Sequence, residues 1–242
     1  MTNDATALSI VVPAYNEAKN LPLLVARIDQ AFGSRSDVEV VVVDNGSVDA
    51  TPRQLPELLA GRPGVRSVRV ERNQGYGFGI LSGLKAARGR VLAWTHADMQ
   101  TDIADALRGF EFFAAAREPE RLFVKGRRHG RPAGDVVFTV GMAAIETVLL
   151  GTPLWDINAQ PTMFPRTFFE SWNDPPWDFS LDLYAYGLAK KRGFAIARFP
   201  VRFGDRAHGA SHWNIDFGSK IKMIRRTLGY SFELSRRLSR TS

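Results

Sequence analysis

Residues Val38 to Val43, spelled VEVVVV, restrict the architecture more than any other segment, because they are apolar at every position except Glu39. A strand with one face in water alternates apolar and polar residues, whereas a strand buried on both faces reads as a continuous apolar run. Helices must then cover both sides of the sheet. Similar short runs are Leu8–Val12, Val65–Val70 and Val91–Trp94, and segments with helical character lie between them at 16–32, 49–60 and 77–87. Strands that alternate with helices predict a doubly wound, mostly parallel sheet.

The composition is that of one globular domain with a C-terminal extension. The chain has 242 residues, 45% of them hydrophobic and 24% charged, which suffices for one sizeable core. We expect a domain over residues 1–214 and a basic amphipathic helix over 215–242. Cysteine is absent, which excludes disulfides and thiolate metal sites. The N-terminus lacks the basic start and apolar stretch of a signal peptide, so we expect a cytoplasmic location.

The net charge of +7 would suit nucleic acid, anionic lipid or phosphorylated substrates. Its positive residues cluster at 121–132, 200–213 and 220–240. No nucleic-acid-reading motif accompanies these clusters, so we expect no nucleic-acid partner.

Three polar motifs each follow a predicted strand. They are VVPAYNE at 11–17, VVDNGSVDAT at 42–51 and HADMQ at 96–100. In open α/β sheets ligands bind beyond the carboxyl ends of the strands, so the motifs predict a site at that edge. There Asp44 can accept a hydrogen bond from a base N–H or a ribose hydroxyl.

The third motif has the chemistry of a cation site. Side chains two apart on an extended segment share a face, so His96, Asp98 and Gln100 can converge on one ion. A divalent cation with few protein ligands and several from substrate phosphates is typical of Mg²⁺ or Mn²⁺. The nearby glycines at 75, 77 and 79 lack the spacing of a phosphate-binding loop of nucleotide triphosphatases.

The order and spacing of the three motifs resemble the GT-A core of family 2 glycosyltransferases, and the branch of the dolichol-phosphate mannose synthase-like and polyprenyl-phosphate sugar transferases in particular. The resemblance is strong over residues 8–128. It implies an α/β, three-layer, Rossmann-like GT-A fold with a mostly parallel central sheet. It also implies inverting transfer of a sugar from a UDP- or GDP-sugar donor to a polyprenyl phosphate, with Mn²⁺ or Mg²⁺, at the cytoplasmic face of a membrane.

The resemblance also implies roles for individual residues. Asp98 would hold the metal with Gln100, and His96 stands where the usual motif has its first acid. Its imidazole can ligate Mn²⁺ or donate to a phosphate or ribose. The predicted donor-binding residues are Pro13, Tyr15, Glu17, Asp44, Gly75, Ala97, Arg202, Ser211 and His212.

The second half resembles the family in outline through FVKGRR at 123–128, WDINAQPTMFPR at 155–166 and PVRFGDRAHGASHWN at 200–214. The last of these implies that Arg206 grips the diphosphate. A lipid phosphate is already ionised at neutral pH and needs no general base. A hydroxyl acceptor needs one. Asp156 is preferred over Asp178 and Asp182, because the segment 155–166 resembles the part of the family that carries its acceptor motif. The predicted catalytic residues are therefore Asp98, Asp156 and Arg206.

Two segments bear on the membrane. Residues 136–155 are apolar over about the length of a membrane span, but Glu146 at the centre favours a core or interfacial helix. Residues 217–240 have apolar positions at helical spacing between lysines and arginines, which suits either a lipid surface or packing on the core. We expect peripheral membrane contact, direct or through an integral-membrane partner protein.

Two other functions are compatible with these motifs. One is a glycosyltransferase that acts on a saccharide or other hydroxyl acceptor. The other is a catalytically silent nucleotide-sugar binding module, which the replacement of an acid by His96 would favour.

Overall fold

The computed structural model describes residues 6–208 and 229–237. Seven strands form one sheet in the order β3-β2-β1-β4-β6-β5-β7. Strands β3, β2, β1 and β4 are parallel, β6 is antiparallel to β4 and β5, and β5 is parallel to β7. The strands are β1 Leu8–Ala14, β2 Val38–Asn45, β3 Val65–Val70, β4 Val91–Trp94, β5 Leu122–His129, β6 Thr162–Pro165 and β7 Ala195–Arg202. The predicted α/β architecture with a mostly parallel central sheet is confirmed.

Helices cover the sheet on both faces. They are α1 Leu21–Phe32, α2 Thr51–Leu59, α3 Tyr76–Ala86, α4 Asp105–Ala115, α5 Ala133–Leu150, α6 Arg166–Glu170 and α7 Leu181–Lys191. Strand β2 shows the three layers, since Val40 and Val42 join the core cluster that contains α1, whereas Val41 and Val43 join the cluster that contains α3 and α7. Each fully buried valine or leucine side chain contributes about 1.5–3 kcal/mol. The continuous apolar run of β2 is thus explained by burial on both sides.

Helix α1 begins later than its sequence pattern predicts. Asn16 has a φ of 56°, in the left-handed region that interrupts a helix, and α1 starts only at Leu21. Pro22 occupies one of the first two helical positions, where a missing backbone N–H costs no hydrogen bond. Residues 15–20 are therefore a loop beyond the end of β1.

The parallel register brings the three motifs to one edge of the sheet. Ala14 at the end of β1 pairs with Asp44 on β2, and Val11 pairs with Trp94 at the end of β4. The chain leaves all three strands in the same direction, so the polar residues after each strand lie side by side.

Among the described residues, no helix combines the length and the apolar character that crossing a membrane requires. Of the predicted C-terminal helix, residues 229–237 are described and are helical. Leu234 is fully buried in the core cluster that contains α3 and α7, with Tyr230 packed beside it. Residues 215–228 and 238–242 lie outside the described part, so the prediction of a helix over 215–242 stays open there.

Candidate active site

A cavity of about 560 Å³ opens at the edge of the sheet where the three motifs meet. Most of the residues that the sequence predicts for the site line it together. They are Pro13, Tyr15, Glu17, Gly75, His96, Ala97, Asp98, Gln100 and Arg206. The sheet register, rather than proximity in sequence, assembles this set.

Some predicted site residues lie elsewhere. Asp44 is buried at the tip of β2 and does not line the cavity, although its neighbour Asn45 does. The Oδ1 atom of Asp44 accepts the backbone N–H of Ser47 at 2.9 Å, while Oδ2 has no hydrogen-bond partner among the described residues. Arg202 is exposed on β7 away from the cavity, which disfavours its predicted role in donor binding. The predicted residues Ser211 and His212 lie outside the described part of the chain.

Side chains of the second motif, at 42–51, hold the loop that follows β1 in the first motif. Backbone N–H groups of residues 16–18 donate in turn to Ser47 Oγ at 3.0 Å, Thr51 Oγ1 at 3.0 Å and Asp49 Oδ2 at 3.2 Å. Alternate polar side chains of one loop therefore satisfy consecutive amides of the other. The side chains of the second motif thereby fix the rim of the cavity.

Asp98 makes a hydrogen bond and an ion pair in the cavity. It is 5% exposed, and its Oδ1 accepts the backbone N–H of Gln100 at 3.1 Å. Its Oδ2 lies 2.9 Å from Nη2 of Arg206, whose Nη1 is 3.8 Å from Oε1 of Glu17. Gln100 holds the loop that carries Arg206. Its Nε2 donates to the carbonyl oxygen of Gly204 at 3.2 Å, and its own carbonyl oxygen accepts the N–H of Gly204 at 2.8 Å. Burial raises the pKa of Glu17, and the nearby Asp98 carboxylate raises it further.

The donor set of the third motif fits a divalent cation that takes most of its ligands from a substrate. A carboxylate on Asp98, an amide oxygen on Gln100 and an imidazole on His96 suit Mn²⁺ or Mg²⁺. Burial lowers the pKa of His96, which favours the neutral form that binds metals. Within residues 6–208 and 229–237 no group of three or more His, Asp or Glu side chains is arranged as a metal site. The protein would thus supply a partial set that a diphosphate completes.

A buried polar network underlies the cavity. Asp182 in the first turn of α7 lines the cavity, and its Oδ1 accepts from Nε2 of Gln160 at 2.9 Å and from Nζ of Lys125 at 3.4 Å. Nζ of Lys125 also donates to Oγ1 of Thr162 at 2.5 Å. Burial lowers the pKa of Lys125 to about 8. These contacts hold the Asp182 carboxylate in one position at the cavity wall.

The carboxylate of Asp156 is paired with arginine. It is 1% exposed, adopts a φ of 44° and accepts from both the backbone N–H and Nε of Arg128 at 2.8 Å. Burial alone would raise the pKa of Asp156, but the guanidinium groups of Arg128 and Arg131 lower it. Asp156 does not line the cavity, whereas Arg128 does. This geometry disfavours the predicted role of Asp156 as a general base and makes it the anchor of Arg128.

The start of helix α3 packs closely against the segment before α7, and a glycine makes this close contact possible. Gly75 has a φ of +120°, and a Cβ atom there would lie 2.4 Å from the carbonyl oxygen of Trp177. The same oxygen accepts the N–H of Phe78 at 2.9 Å. Beside this contact the rings of Tyr76 and Phe179 stack at 4.5 Å between centroids. The first turn of α3 and the start of α7 thus form one wall of the cavity.

Sequence reasoning missed Lys125 and Glu146 as parts of the site. Lys125 is fully buried within β5, and Glu146 on α5 lines the cavity with 4% of its surface exposed. The available signal was one charged residue inside an otherwise uncharged run, in LFVKG at 122–126 and in VVFTVGMAAIETVLL at 136–150.

The mostly parallel sheet, the cavity beyond β1, β2 and β4 and the acid after β4 define an α/β protein of the GT-A type. A family model described as glycosyl transferase family 2 matches residues 9–140. The chain belongs to that family.

Solved structures agree on the fold. A glucosyl-3-phosphoglycerate synthase from Mycobacterium tuberculosis, crystallised with Mn²⁺, uridine diphosphate and glucosyl-3-phosphoglycerate, superposes with a TM-score of 0.72. That match covers 95% of this chain and 80% of the other at 20% identity.

The curated relatives include glycosyltransferases, two of them named for undecaprenyl phosphate and dolichol phosphate. Glycosyltransferase AglD of Haloferax volcanii is 26% identical over 95% of this chain. An undecaprenyl-phosphate 4-deoxy-4-formamido-L-arabinose transferase of Pseudomonas fluorescens is 35% identical over 46% of it. A dolichol-phosphate mannosyltransferase of Pyrococcus furiosus is 37% identical over 38% of it. The chain spans 36%, 35% and 26% of the lengths of these three relatives.

Proposed function

We propose that the chain is a metal-dependent inverting glycosyltransferase that moves a sugar from a UDP- or GDP-sugar to a polyprenyl phosphate. The observation that carries the proposal is the convergence of Asp98, Gln100 and Arg206 in one cavity beyond β1, β2 and β4. Family membership and relatives named for undecaprenyl- and dolichol-phosphate substrates support it.

The donor would lie along the edge of the sheet. Its nucleoside would occupy the end formed by Pro13, Tyr15 and Asn45. Its diphosphate would lie against Asp98 and Arg206. The sugar would then project toward α5 and the start of α7.

The protein groups stabilise the leaving diphosphate. A cation held by Asp98 and Gln100, with His96 beside it, would supply positive charge to the diphosphate when bound. Arg206 adds a second charge whose fork of N–H donors matches phosphate oxygens. A phosphate acceptor attacks with an oxygen that is already ionised, so no protein base is required in this reaction.

The proposed location is the cytoplasmic membrane surface, with peripheral contact made directly or through an integral-membrane partner. The relatives named for lipid phosphates support this proposal. Flotation of the protein with vesicles that contain a polyprenyl phosphate would test it, and protein that stays at the bottom of the gradient would contradict direct contact.

The test of function is nucleotide release by the purified protein with Mn²⁺ and a panel of UDP- and GDP-sugars, with and without polyprenyl phosphate. Release that depends on the lipid phosphate is expected. Donor binding without release would favour a silent binding module, which the departure at His96 motivates.

A hydroxyl acceptor is the second candidate, and the position of Asp182 favours it. Asp182 is a buried carboxylate fixed at the cavity wall by Gln160 and Lys125, as a general base must be. It replaces Asp156 as the candidate base. Release that depends on a saccharide and is abolished by Asp182→Asn would select this function over the first.

A further inference from the structure

Helix α5 forms one wall of the cavity and has two different faces. Thr139, Met142 and Glu146, spaced three and four residues apart, line the cavity. Val137 and Val148, on another face, are 71% and 80% exposed. The face of the helix toward the cavity thus carries an acid, Glu146.

Glu146 differs from the other buried carboxylates of the described residues. Each of those accepts at least one hydrogen bond or forms an ion pair: Glu39, Asp44, Asp98, Asp105, Asp156 and Asp182. Glu146 has neither within residues 6–208 and 229–237, although it is 4% exposed and lines the cavity. Burial raises its pKa to about 7. A buried carboxyl without a partner is destabilising, so Glu146 calls for a partner that the described residues do not supply.

The chemistry of that partner follows from the position of Glu146. In the proposed function the nucleoside lies at the tips of β1 and β2, and the diphosphate lies against Asp98 and Arg206. The side of the cavity formed by α5 is then left for the sugar and the acceptor. A phosphate would be repelled by an ionised carboxylate. A hydroxyl group, in contrast, donates to a carboxylate and also accepts from a protonated carboxyl.

We propose that Glu146 binds a hydroxyl group of the transferred sugar and thereby determines which sugar the cavity accepts. This inference rests on the proposed function, because it assumes a nucleotide-sugar donor. Met142, Ile157 and Leu183 line the same cavity as Glu146, and a hydrogen bond formed next to such apolar walls contributes more to affinity than one formed in water.

Calorimetric titration tests the inference. Wild-type protein and the Glu146→Leu and Glu146→Gln variants are titrated with UDP, GDP, UDP-glucose and GDP-mannose in the presence of Mn²⁺. Glu146→Leu should weaken binding of the nucleotide sugar about tenfold, the value of one hydrogen bond to a charged group, and change binding of the bare nucleotide less than about twofold. Glu146→Gln should retain most of the affinity because an amide still pairs with a hydroxyl. Val148→Ala on the exposed face is the matched control and should bind both ligands as the wild type does.

Three results would overturn the inference. The first is unchanged sugar-nucleotide affinity in Glu146→Leu, and the second is an equal loss for nucleotide and nucleotide sugar. The third is unchanged donor affinity with a raised KM for the acceptor, which would assign the hydroxyl to the acceptor. Failure of the wild-type protein to bind any nucleotide would instead remove the proposed function, and this inference with it.

Discussion

Arg206 and Asp98 form an ion pair in the cavity, with 2.9 Å between Nη2 and Oδ2. The guanidinium also lies 3.8 Å from Oε1 of Glu17. One positive charge thus stands between two acids that lie in the loops after β1 and β4. This position coincides with the place where a divalent cation would meet Asp98. In the proposed function a bound cation would therefore compete with Arg206 for this carboxylate until a diphosphate offers oxygens to both.

Replacing Arg206 should affect metal and nucleotide in opposite directions. Arg206→Ala should raise the affinity of the protein for Mn²⁺ alone severalfold, because Asp98 loses its competing partner. The same change should weaken binding of UDP or GDP about tenfold or more, because a charged hydrogen bond to phosphate is lost. Electron paramagnetic resonance of free Mn²⁺ and calorimetry of the nucleotides give the two values. The exposed Arg202→Ala is the control, and parallel changes in both affinities would contradict competition.

Asp98 should be required for turnover and not for the fold. Asp98→Asn keeps the size of the side chain but removes the charge that the cation and Arg206 share. We expect metal-dependent nucleotide release to fall about 100-fold or more, as for loss of one electrostatic group at a reacting centre. Thermal unfolding should show a folded protein, and Asp205→Asn on an exposed loop serves as the matched control. Unchanged release would remove the metal assignment.

Asp156 should matter for stability. Asp156→Asn leaves Arg128 without its buried counter-ion, and breaking a buried pair of this kind costs about 3–5 kcal/mol. Urea unfolding measures this loss. Asp174→Asn removes an exposed pair with Arg237, in which the aspartate side chain is 75% exposed, and should cost less than about 1 kcal/mol. Equal costs for the two variants would show that Asp156 does not anchor the structure.

Glu146 should make stability depend on pH near neutrality. Its folded pKa of about 7 lies above the ordinary value of 4.5, so the folded state holds a proton that the unfolded state releases. The contribution of this proton to the free energy of unfolding is therefore fully present below pH 4.5 and is lost as the pH rises through 7. The loss amounts to up to about 3 kcal/mol, at about 1.4 kcal/mol per pKa unit. The free energy of unfolding of Glu146→Gln should lack this decline between pH 5 and 8. A wild-type protein that parallels the variant over that range would contradict burial of the acid.

Gly75 should be sensitive to any side chain. Gly75→Ala adds a Cβ atom 2.4 Å from the carbonyl oxygen of Trp177 at a φ of +120°. The added atom should displace the segment before α7 and destabilise the protein by several kcal/mol. Donor affinity should fall as well, because the start of α3 and this segment both line the cavity. Gly61→Ala is the control, since its φ is also positive, at +74°, but nothing lies within 4 Å of an added Cβ. It should cost only about 1 kcal/mol of backbone strain. Chemical denaturation compares the two variants.

The amino-acid sequence by itself determined the architecture. A strand such as VEVVVV is apolar on both faces only where helices cover both sides, and the alternation of such runs with helical segments leaves a mostly parallel sheet as the consistent arrangement. It also determined which loops meet, because parallel strands end at one edge. The predicted cluster of Tyr15, Glu17, Asp98 and Gln100 in one cavity followed from that rule.

Only the tertiary structure decided which charges are neutralised and which face the cavity. Asp156 and Asp182 were both candidate general bases in the sequence, yet Asp156 is closed off by Arg128 and Asp182 lines the cavity. Glu146 looked like an interruption in an apolar helix, and its burial without a partner among the described residues became visible only when α5 was placed beside the cavity. Ion pairing and desolvation depend on atoms that are distant in sequence and a few ångströms apart in space, so no local pattern encodes them.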